Sequence, residues 1–451
     1  MKKDDLKTIV ADLEFLASEK DRGMIRNILV GNHPADIAQI ISNLSDEKDA
    51  YVFSLLDADT ASDVLVEFDD VTREKLVAEL KHERLSEIVD EMDSDDATDL
   101  VAELPEDVAE KVLESIDTED SDEVKELLRH DEDTAGGIMA LEFVSVLDDM
   151  TVDDAIREIR KKAEEVDEVY NVYVVDAAGK LVGVLPLKKL ILARSNQKVQ
   201  NLMNQDVISV PTDMDQEDVA NIFRRYNLVS VPVTDADKHL VGRITVDDVV
   251  DVMEEEASED IQRMAGIADE EEIRETSAFK ISFARLPWLL IAFLGEMGSA
   301  VVLNHFEASI QKIFIAALFI PLMMAMGGNS GSQAAIIVVR GLALGELNPK
   351  HLWVRLRKEL RVSLVTGSVL GTLLFAAVSI IGGGMSFALL LSLVMLIVIM
   401  NASLVGASVP LILKRFDVDP AIATGPFIST LNDIIGLFIY LGLVTVTSQY
   451  F

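Results

Sequence analysis

The sequence predicts a multidomain membrane protein: a cytosolic α-superhelical N domain, a tandem pair of α/β modules, a connecting helix and a five-helix transmembrane domain. Three observations predict it: a charge that divides the chain in two, an apolar period of twelve residues near the N-terminus, and five apolar stretches of membrane length. Of totals of 78 acids and 40 Lys/Arg, residues 279–451 hold seven and eleven, so residues 1–278 carry −42 and the rest +4. The first object reads as soluble and strongly acidic, which disfavours nucleic acid and anionic lipid as partners and favours cations. The absence of cysteine excludes disulfides and thiolate metal sites. The N-terminal stretch MKKDDLKTIVADLEF lacks the apolar core of a signal peptide.

The N domain, 1–132, is a repeat. From His33 to Ile116 the chain divides into seven units of twelve residues. Apolar residues recur at the eighth position (Ile40, Val52, Val64, Leu76, Ile88, Leu100, Val112) and at the ninth (Ile41, Phe53, Leu65, Val77, Val89, Val101, Leu113). Each unit therefore reads as a two-turn helix plus a turn, stacked so that this face is buried and most acids form a solvated surface.

Residues 133–253 hold a second repeat. VYVVDAAGKLVGVL at 172–185 matches VPVTDADKHLVGRI at 231–244, each a strand, an Asp-containing turn and a strand, followed by helix-like sequence. The two modules resemble a tandem CBS-domain pair, over roughly 137–253. Such pairs often bind adenine nucleotides, and Thr245-Val-Asp247-Asp248 resembles the phosphate- and ribose-contacting segment. The equivalent Pro186-Leu-Lys188-Lys189 lacks the acid, so the resemblance supports only a degenerate ATP site at Thr245 and Asp248.

Residues 254–280 form the connecting segment. Around its start, Asp248, Asp251, Glu256, Glu259 and Asp260 lie on or near one helical face, and like charges so close destabilise a bare helix unless a partner neutralises them. Composition by itself favours a solvated charge run over a cation-dependent strut.

The membrane domain, 281–451, contains five stretches that satisfy the spanning requirement of about 20 residues: 286–303, 313–339, 362–381, 387–413 and 421–446. The connections after the second and fourth carry the Lys and Arg, including Arg340, Arg355, Arg357, Lys414 and Arg415. By the positive-inside rule the N-terminal region is cytoplasmic and the C-terminus lies outside a cytoplasmic membrane. Two stretches read as broken. The second has Pro321 and then a polar, glycine-rich run at 327–333, and the fifth opens with Asp419-Pro420 and a Gly425-Pro426 step. Irregular backbone at membrane depth is tolerated where it lines a cavity or binds an ion. Glycines for close packing are the simpler explanation, which suits Gly367 and Gly371 but leaves Asn329 and Gln333 unexplained. Asp433 follows in the fifth stretch. A charge at bilayer depth costs at least ~2.5–3.5 kcal/mol on insertion scales, so it is retained where it faces water, a partner or an ion.

Together these features resemble the MgtE family of magnesium channels and transporters across nearly the whole chain. The most specific parts are P-x5-G-G-N-x-G-x-Q at 321–333 and D-P-A-x5-F at 419–427, followed by Asp433. The resemblance implies a homodimer in the lipid membrane with its pore on the two-fold axis, lined by the second and fifth helices. It places Asp433, with Asn329, Gly328 and Ser429, at the ion path. It also implies closure by cytosolic Mg2+ bound at Asp95, Asp99, Glu217, Asp248, Asp251, Glu256, Glu259 and Asp260, with Asp419 meeting the connecting helix through a shared cation. That reverses the preference for a solvated charge run. The chain departs from family members at Ser332, Gly425 and Asn227, where Asn, Asn and an acid are found.

The chemistry agrees. Mg2+ gives up water reluctantly and is commonly held by one or two carboxylates with several waters retained, so two symmetry-related Asp433 side chains suit it, helped by carbonyls near Ser429 and the Asn329 amide. No Cys or His lies deep in a membrane stretch, which disfavours zinc and copper, whereas Co2+, Ni2+ and Mn2+ are compatible with oxygen ligands. Glu296, the other acid at membrane depth, has no place in the family motif and leaves open a Na+- or H+-coupled divalent cation exchanger. An intramembrane protease would need paired-Asp motifs that are absent, so no enzyme is expected. A Mg2+ receptor without transport would leave the broken helices without a purpose.

Overall fold

The computed structural model describes residues 3–447 apart from 46–47, 163–165, 167–168, 268–277, 313, 382–383 and 417. It divides into two compact units, Met1–Met253 and Glu254–Phe451, each described by itself.

In the first unit the twelve-residue period becomes one helix per repeat. After α1 (Lys3–Glu19) and α2 (Arg22–Leu29) come α3 (Pro34–Ser42), α4 (Lys48–Phe53), α5 (Ala58–Val66), α6 (Asp70–Glu79), α7 (His82–Val89), α8 (Ser94–Glu103) and α9 (Glu106–Ser115). A further helix, α10 (Thr118–Leu127), continues the period beyond residue 116, where the sequence reading ended it. Every eighth-position residue is buried, none more than 4% exposed, and at the ninth position only Val77 and Leu113 are partly open. The first residue of six of the seven repeats is the N-cap of its helix. There Asp57 accepts from the Thr60 N–H at 3.0 Å and Asp69 from the Thr72 N–H at 3.1 Å, caps typically worth about 1 kcal/mol each. Alternate helices stack, α3 on α5, α5 on α7 and α7 on α9, which produces the superhelix.

The two α/β modules follow. The first has β1 (Ser145–Leu147), α11 (Val152–Lys162), β2 (Asn171–Val175), β3 (Leu181–Pro186) and α12 (Leu187–Leu192). The second has β4 (Val210–Pro211), α13 (Gln216–Tyr226), β5 (Ser230–Thr234) and β6 (Leu240–Thr245). Both sheets have a parallel pair followed by an antiparallel hairpin, with Val172 opposite Leu185 in one and Val231 opposite Ile244 in the other. Asp176 and Asp235 close the hairpin turns by accepting two backbone N–H groups each. The hairpins also bond to each other, Leu181 N–H to the Lys238 carbonyl at 3.0 Å and Leu240 N–H to that of Gly179 at 3.2 Å.

β6 runs directly into α14 (Val246–Ala265), so the connecting helix begins at Val246 rather than at 254. Local capping explains the early start. The Thr245 N–H and Oγ1 both donate to Asp248 Oδ2, at 2.9 and 2.7 Å, the reciprocal half of a capping box. Residues 268–277 of the expected connector lie outside the described residues.

The membrane unit contains α15 (Ala278–His305), α16 (Glu307–Lys312), α17 (Phe314–Ala317), α18 (Ile320–Ala343), α19 (Leu352–Ile381), α20 (Met385–Arg415) and α21 (Gly425–Thr447). Among the described residues, five spans are long and apolar enough to cross a membrane, in the five places expected. α20 is central, packing against α18, α19 and α21. Gly367 and Gly371 serve packing: a Cβ at Gly371 would stand 2.9 Å from the Ser392 carbonyl oxygen, and one at Gly367 would stand 2.7 Å from Leu396.

Of the expected breaks, those at Pro321 and at Gly425 are present and the one along the glycine-rich run is not. The run 327–333 lies inside a continuous α18, and Ser429 lies inside α21, so their carbonyls belong to helical ladders and are not bared toward an ion. The interruption precedes Pro321, whose missing N–H suits the first turn of α18. The Tyr440 hydroxyl donates to the Ala316 carbonyl at that interruption, at 2.6 Å. In the fifth span the break falls at Thr424–Gly425, after a short 3-10 turn over Ala421–Ala423.

Candidate functional site

In the first unit, acids gather at the N-terminus of α8. A cavity of about 200 Å³ is lined by Asp93, Asp95, Asp96, Ala140, Tyr170, Arg243, Thr245, Asp247 and Asp248. Glu142, from the segment leading into the first module, takes over the capping of α8, accepting from the Ser94 N–H at 3.0 Å and from its Oγ at 2.8 Å. Of the acids named from sequence, Asp95 and Asp248 share this lining, and Asp93, Asp96, Asp247 and Glu142 are additions that only the fold brings in. The helix terminus favours negative charge, but removal from water and mutual repulsion prevail. Burial, then the neighbouring Asp96 and Asp248 charges, push Asp95 well above the ordinary range. Asp96 is raised to about 8 by burial and then by Asp248. Asp99 is raised to about 6 by burial, against the lowering influence of Arg73. Burial also raises Asp248 despite the two Thr245 hydrogen bonds. Such a cluster of oxygen donors fits a hard dication that relieves the repulsion.

Other expected members lie elsewhere. The cavity lining does not include Asp99, Glu217 or Asp251. Glu217 is in the first turn of α13, its N–H bonded to Asp215 at 2.9 Å, and Asp251 is on the exposed side of α14. A separate carboxylate group, Asp90, Asp117 and Asp120, whose oxygens lie within 4.8 Å of one another, was not singled out from sequence because Asp90 lies in the fifth repeat and the other two beyond the seventh.

In the second unit, the end of α14 meets the start of the fifth span. Arg263 joins Asp419 at 2.6 Å and also pairs with Glu259. Asp260 is raised by burial and then by the Asp419 charge. Asp419 thus reaches the connecting helix as expected, but through a tethered guanidinium, a residue the acid-centred reading passed over. Half-buried Glu256 lies one turn earlier on α14. Gly425 has φ +48°, and a Cβ there would stand 2.6 Å from the Met264 carbonyl oxygen, so this departure from the family pattern leaves room for the end of α14.

Deeper in the membrane unit, Asp433 is half-buried on α21, and its Oδ1 lies 3.8 Å from where a Gly328 Cβ would be. The Ser332 and Ser429 hydroxyls lie 3.4 Å apart, joining the same two helices. A Cβ at Gly331 would stand 1.9 Å from Asn432 Nδ2, so this glycine of the polar run does serve close packing. Asn329 and Gln333 stand exposed on α18. Glu296 of α15 brings its carboxyl group beside that of Asp433. A pattern within one helix could not reveal that contact.

Family models match this architecture in order: the MgtE intracellular N domain over 32–133, CBS domains over 135–196 and 199–255, and the MgtE divalent cation transporter over 320–443. The magnesium transporter MgtE of Thermus thermophilus is 39% identical over 327 residues, 71% of this chain and 71% of that protein. The chain belongs to the MgtE family. MgtE of Enterococcus faecalis is 37% identical over 330 residues, 73% of this chain and 72% of that one. The cytosolic domain of the Mg2+ channel MgtE, crystallised in complex with ATP, superposes with a TM-score of 0.51 at 35% identity, covering 54% of this chain and 99% of that one. The soluble part of a magnesium transporter gives 0.52 at 32%, covering 56% and 99%. Similarity to inosine-5'-monophosphate dehydrogenase of Nitrosopumilus maritimus spans 26% of this chain at 25% identity. The family is one of transporters, and the membrane unit makes this chain a multi-pass membrane protein.

Proposed function

We propose that the chain forms a homodimeric, Mg2+-selective channel that imports Mg2+ across the cytoplasmic membrane and is closed by cytosolic Mg2+. The reading rests above all on Asp433, a carboxylate in the middle of an apolar span, set against Gly328 of the signature helix. Hydrated Mg2+ needs few carboxylates and many waters, and a pair of Asp433 residues across a two-fold axis, with Asn329 and Ser429 nearby, meets that need. Since α18 and α21 are continuous here, side chains and water supply the contacts.

Closure is assigned to the acids. Without Mg2+ the Asp95, Asp96, Asp99 and Asp248 carboxylates repel; with it, the dication neutralises them and favours the compact form. Glu217, Asp251, Glu256, Glu259, Asp260 and Asp419 supply further acidic surface for the same response. ATP is assigned to the pocket at Thr245 and Asp248, supported by the ATP complex of the similar cytosolic domain. The N-terminal domains face the cytosol and the C-terminus lies outside.

Patch recording from purified protein with cation substitution tests the reading. A voltage-driven Mg2+ current that closes as cytosolic-side Mg2+ enters roughly the millimolar range, the scale of weak carboxylate sites, is expected. No Mg2+ current would end the channel reading. The Glu296–Asp433 contact favours one second reading, a Na+- or H+-coupled exchanger; flux that persists without either gradient removes it.

A further inference from the structure

α15 is held against α21 by a glycine register. A Cβ at Gly295 would stand 2.1 Å from Thr430 Cγ2, and one at Gly298 would stand 2.9 Å from Ile434 Cδ1. Both contacts advance in the same direction along the two helices, so α15 and α21 run parallel, and Glu296 is carried between the two glycines to the side of Asp433. The carboxyl groups meet there. No basic residue is close along the chain: α21 contains no Lys or Arg, and Arg285 lies eleven residues back on α15, about 16 Å at helical rise. Glu296 is exposed on the single chain at membrane depth, a position retained where it faces water, another subunit or an ion.

We propose that Glu296 is a second ion-facing carboxylate of the permeation path, a specificity-determining residue that shares with Asp433 the water shell of a passing divalent cation. This rests on the reading of Asp433 as a pore residue. A dication balances both carboxylates, whereas a monovalent ion leaves one charge uncompensated, so the pair discriminates by charge before it discriminates by size.

The test is Mg2+ and Na+ flux through the full-length chain in proteoliposomes, for wild type, Glu296→Gln, Glu296→Asp and Asp433→Asn. Glu296→Gln is expected to raise the half-saturating Mg2+ concentration about tenfold, the scale of losing one charge-assisted contact, and to raise Na+ leak relative to Mg2+ flux. Glu296→Asp is expected to recover most of both losses. An unchanged half-saturation and Mg2+/Na+ ratio in Glu296→Gln, with Asp433→Asn silent, overturns this inference and leaves the pore reading intact. Selective flux through Asp433→Asn overturns the pore reading itself. Because the natural chain has no cysteine, Glu296→Cys provides a single thiol for a second measurement on folded protein. A sulfonate-bearing thiol reagent should restore Mg2+ over Na+ preference, and Mg2+ should slow its reaction. Reaction that Mg2+ does not slow and that leaves selectivity unchanged, or no reaction at all, counts against the proposal.

Discussion

At the start of α8, four aspartates and Asp248 crowd one cavity with Arg243 beside them, whereas Asp433 in the membrane unit has a single carboxylate neighbour and no basic residue on its own helix. The group in the first unit combines many charges, each weakened by proton uptake or a shared neighbour, so a dication that binds there competes with protons and releases repulsion. The membrane pair spends few charges in a setting where each is costly, which suits brief contact with an ion that keeps its water. In the proposed reading, number and burial of carboxylates separate the site that senses an ion from the one that passes it.

Breaking the membrane side should have the largest effect. Asp433→Ala is expected to lower Mg2+ flux by about two orders of magnitude, the scale of losing a charged contact, while the purified protein still elutes as a folded species. Flux assays beside gel filtration check it, and retained selective flux would remove Asp433 from the path.

Breaking the sensing side should leave conduction and abolish its control. With Asp248, Asp251 and Glu259 neutralised together, the channel is expected to stay open at Mg2+ concentrations that close the wild type. Patch recording decides, and unchanged closure would refute the sensor.

Protons sharpen the comparison. Burial leads the causes that raise Asp96 to about 8 and Asp99 to about 6 from the ordinary 3.8, so the folded unit holds protons that the unfolded chain has released. The contribution of these two groups to stability then falls as pH rises from about 4 to about 8 and is flat below that window, the reverse of an acid held low by a salt bridge. Thermal unfolding of the full-length chain without Mg2+ should show this slope, and saturating Mg2+ should flatten it. A Tm that rises across the window would contradict the assigned burial.

The smallest effect belongs to the third arrangement, the guanidinium between Glu259 and Asp419. These groups are 28–35% exposed, so Arg263→Gln should cost less than about 1 kcal/mol of stability, visible as a small drop in Tm. A large drop would show that solvent screens this contact less than its exposure implies.

Much of the fold was legible because its signals are periodic. Twelve-residue spacing marked the helices α3 to α9, paired hairpin sequences marked the two modules, and hydropathy marked five spans. The local irregularities were harder. Glycine and polar residues at 327–333 suggested a broken helix, yet tertiary packing keeps it helical: Gly331 is needed beside Asn432 and Gly406 beside the Gly331 carbonyl, close approaches that a propensity argument does not contain. The site was legible in part. Asp95, Asp248 and Asp433 were named from residue type and family resemblance, whereas Glu142, Arg263 and the Glu296–Asp433 contact join residues far apart in the chain.

The sequence by itself determined the order of domains, the membrane spans and the segregation of negative charge, because burial of apolar faces and exclusion of charge from apolar spans act locally along the chain. The tertiary structure alone decided which acids meet, which stand apart and which find a basic partner. Coulomb interaction and desolvation depend on distance through space, and twelve-residue units, hairpins and parallel helices bring together side chains that spacing along the sequence cannot pair.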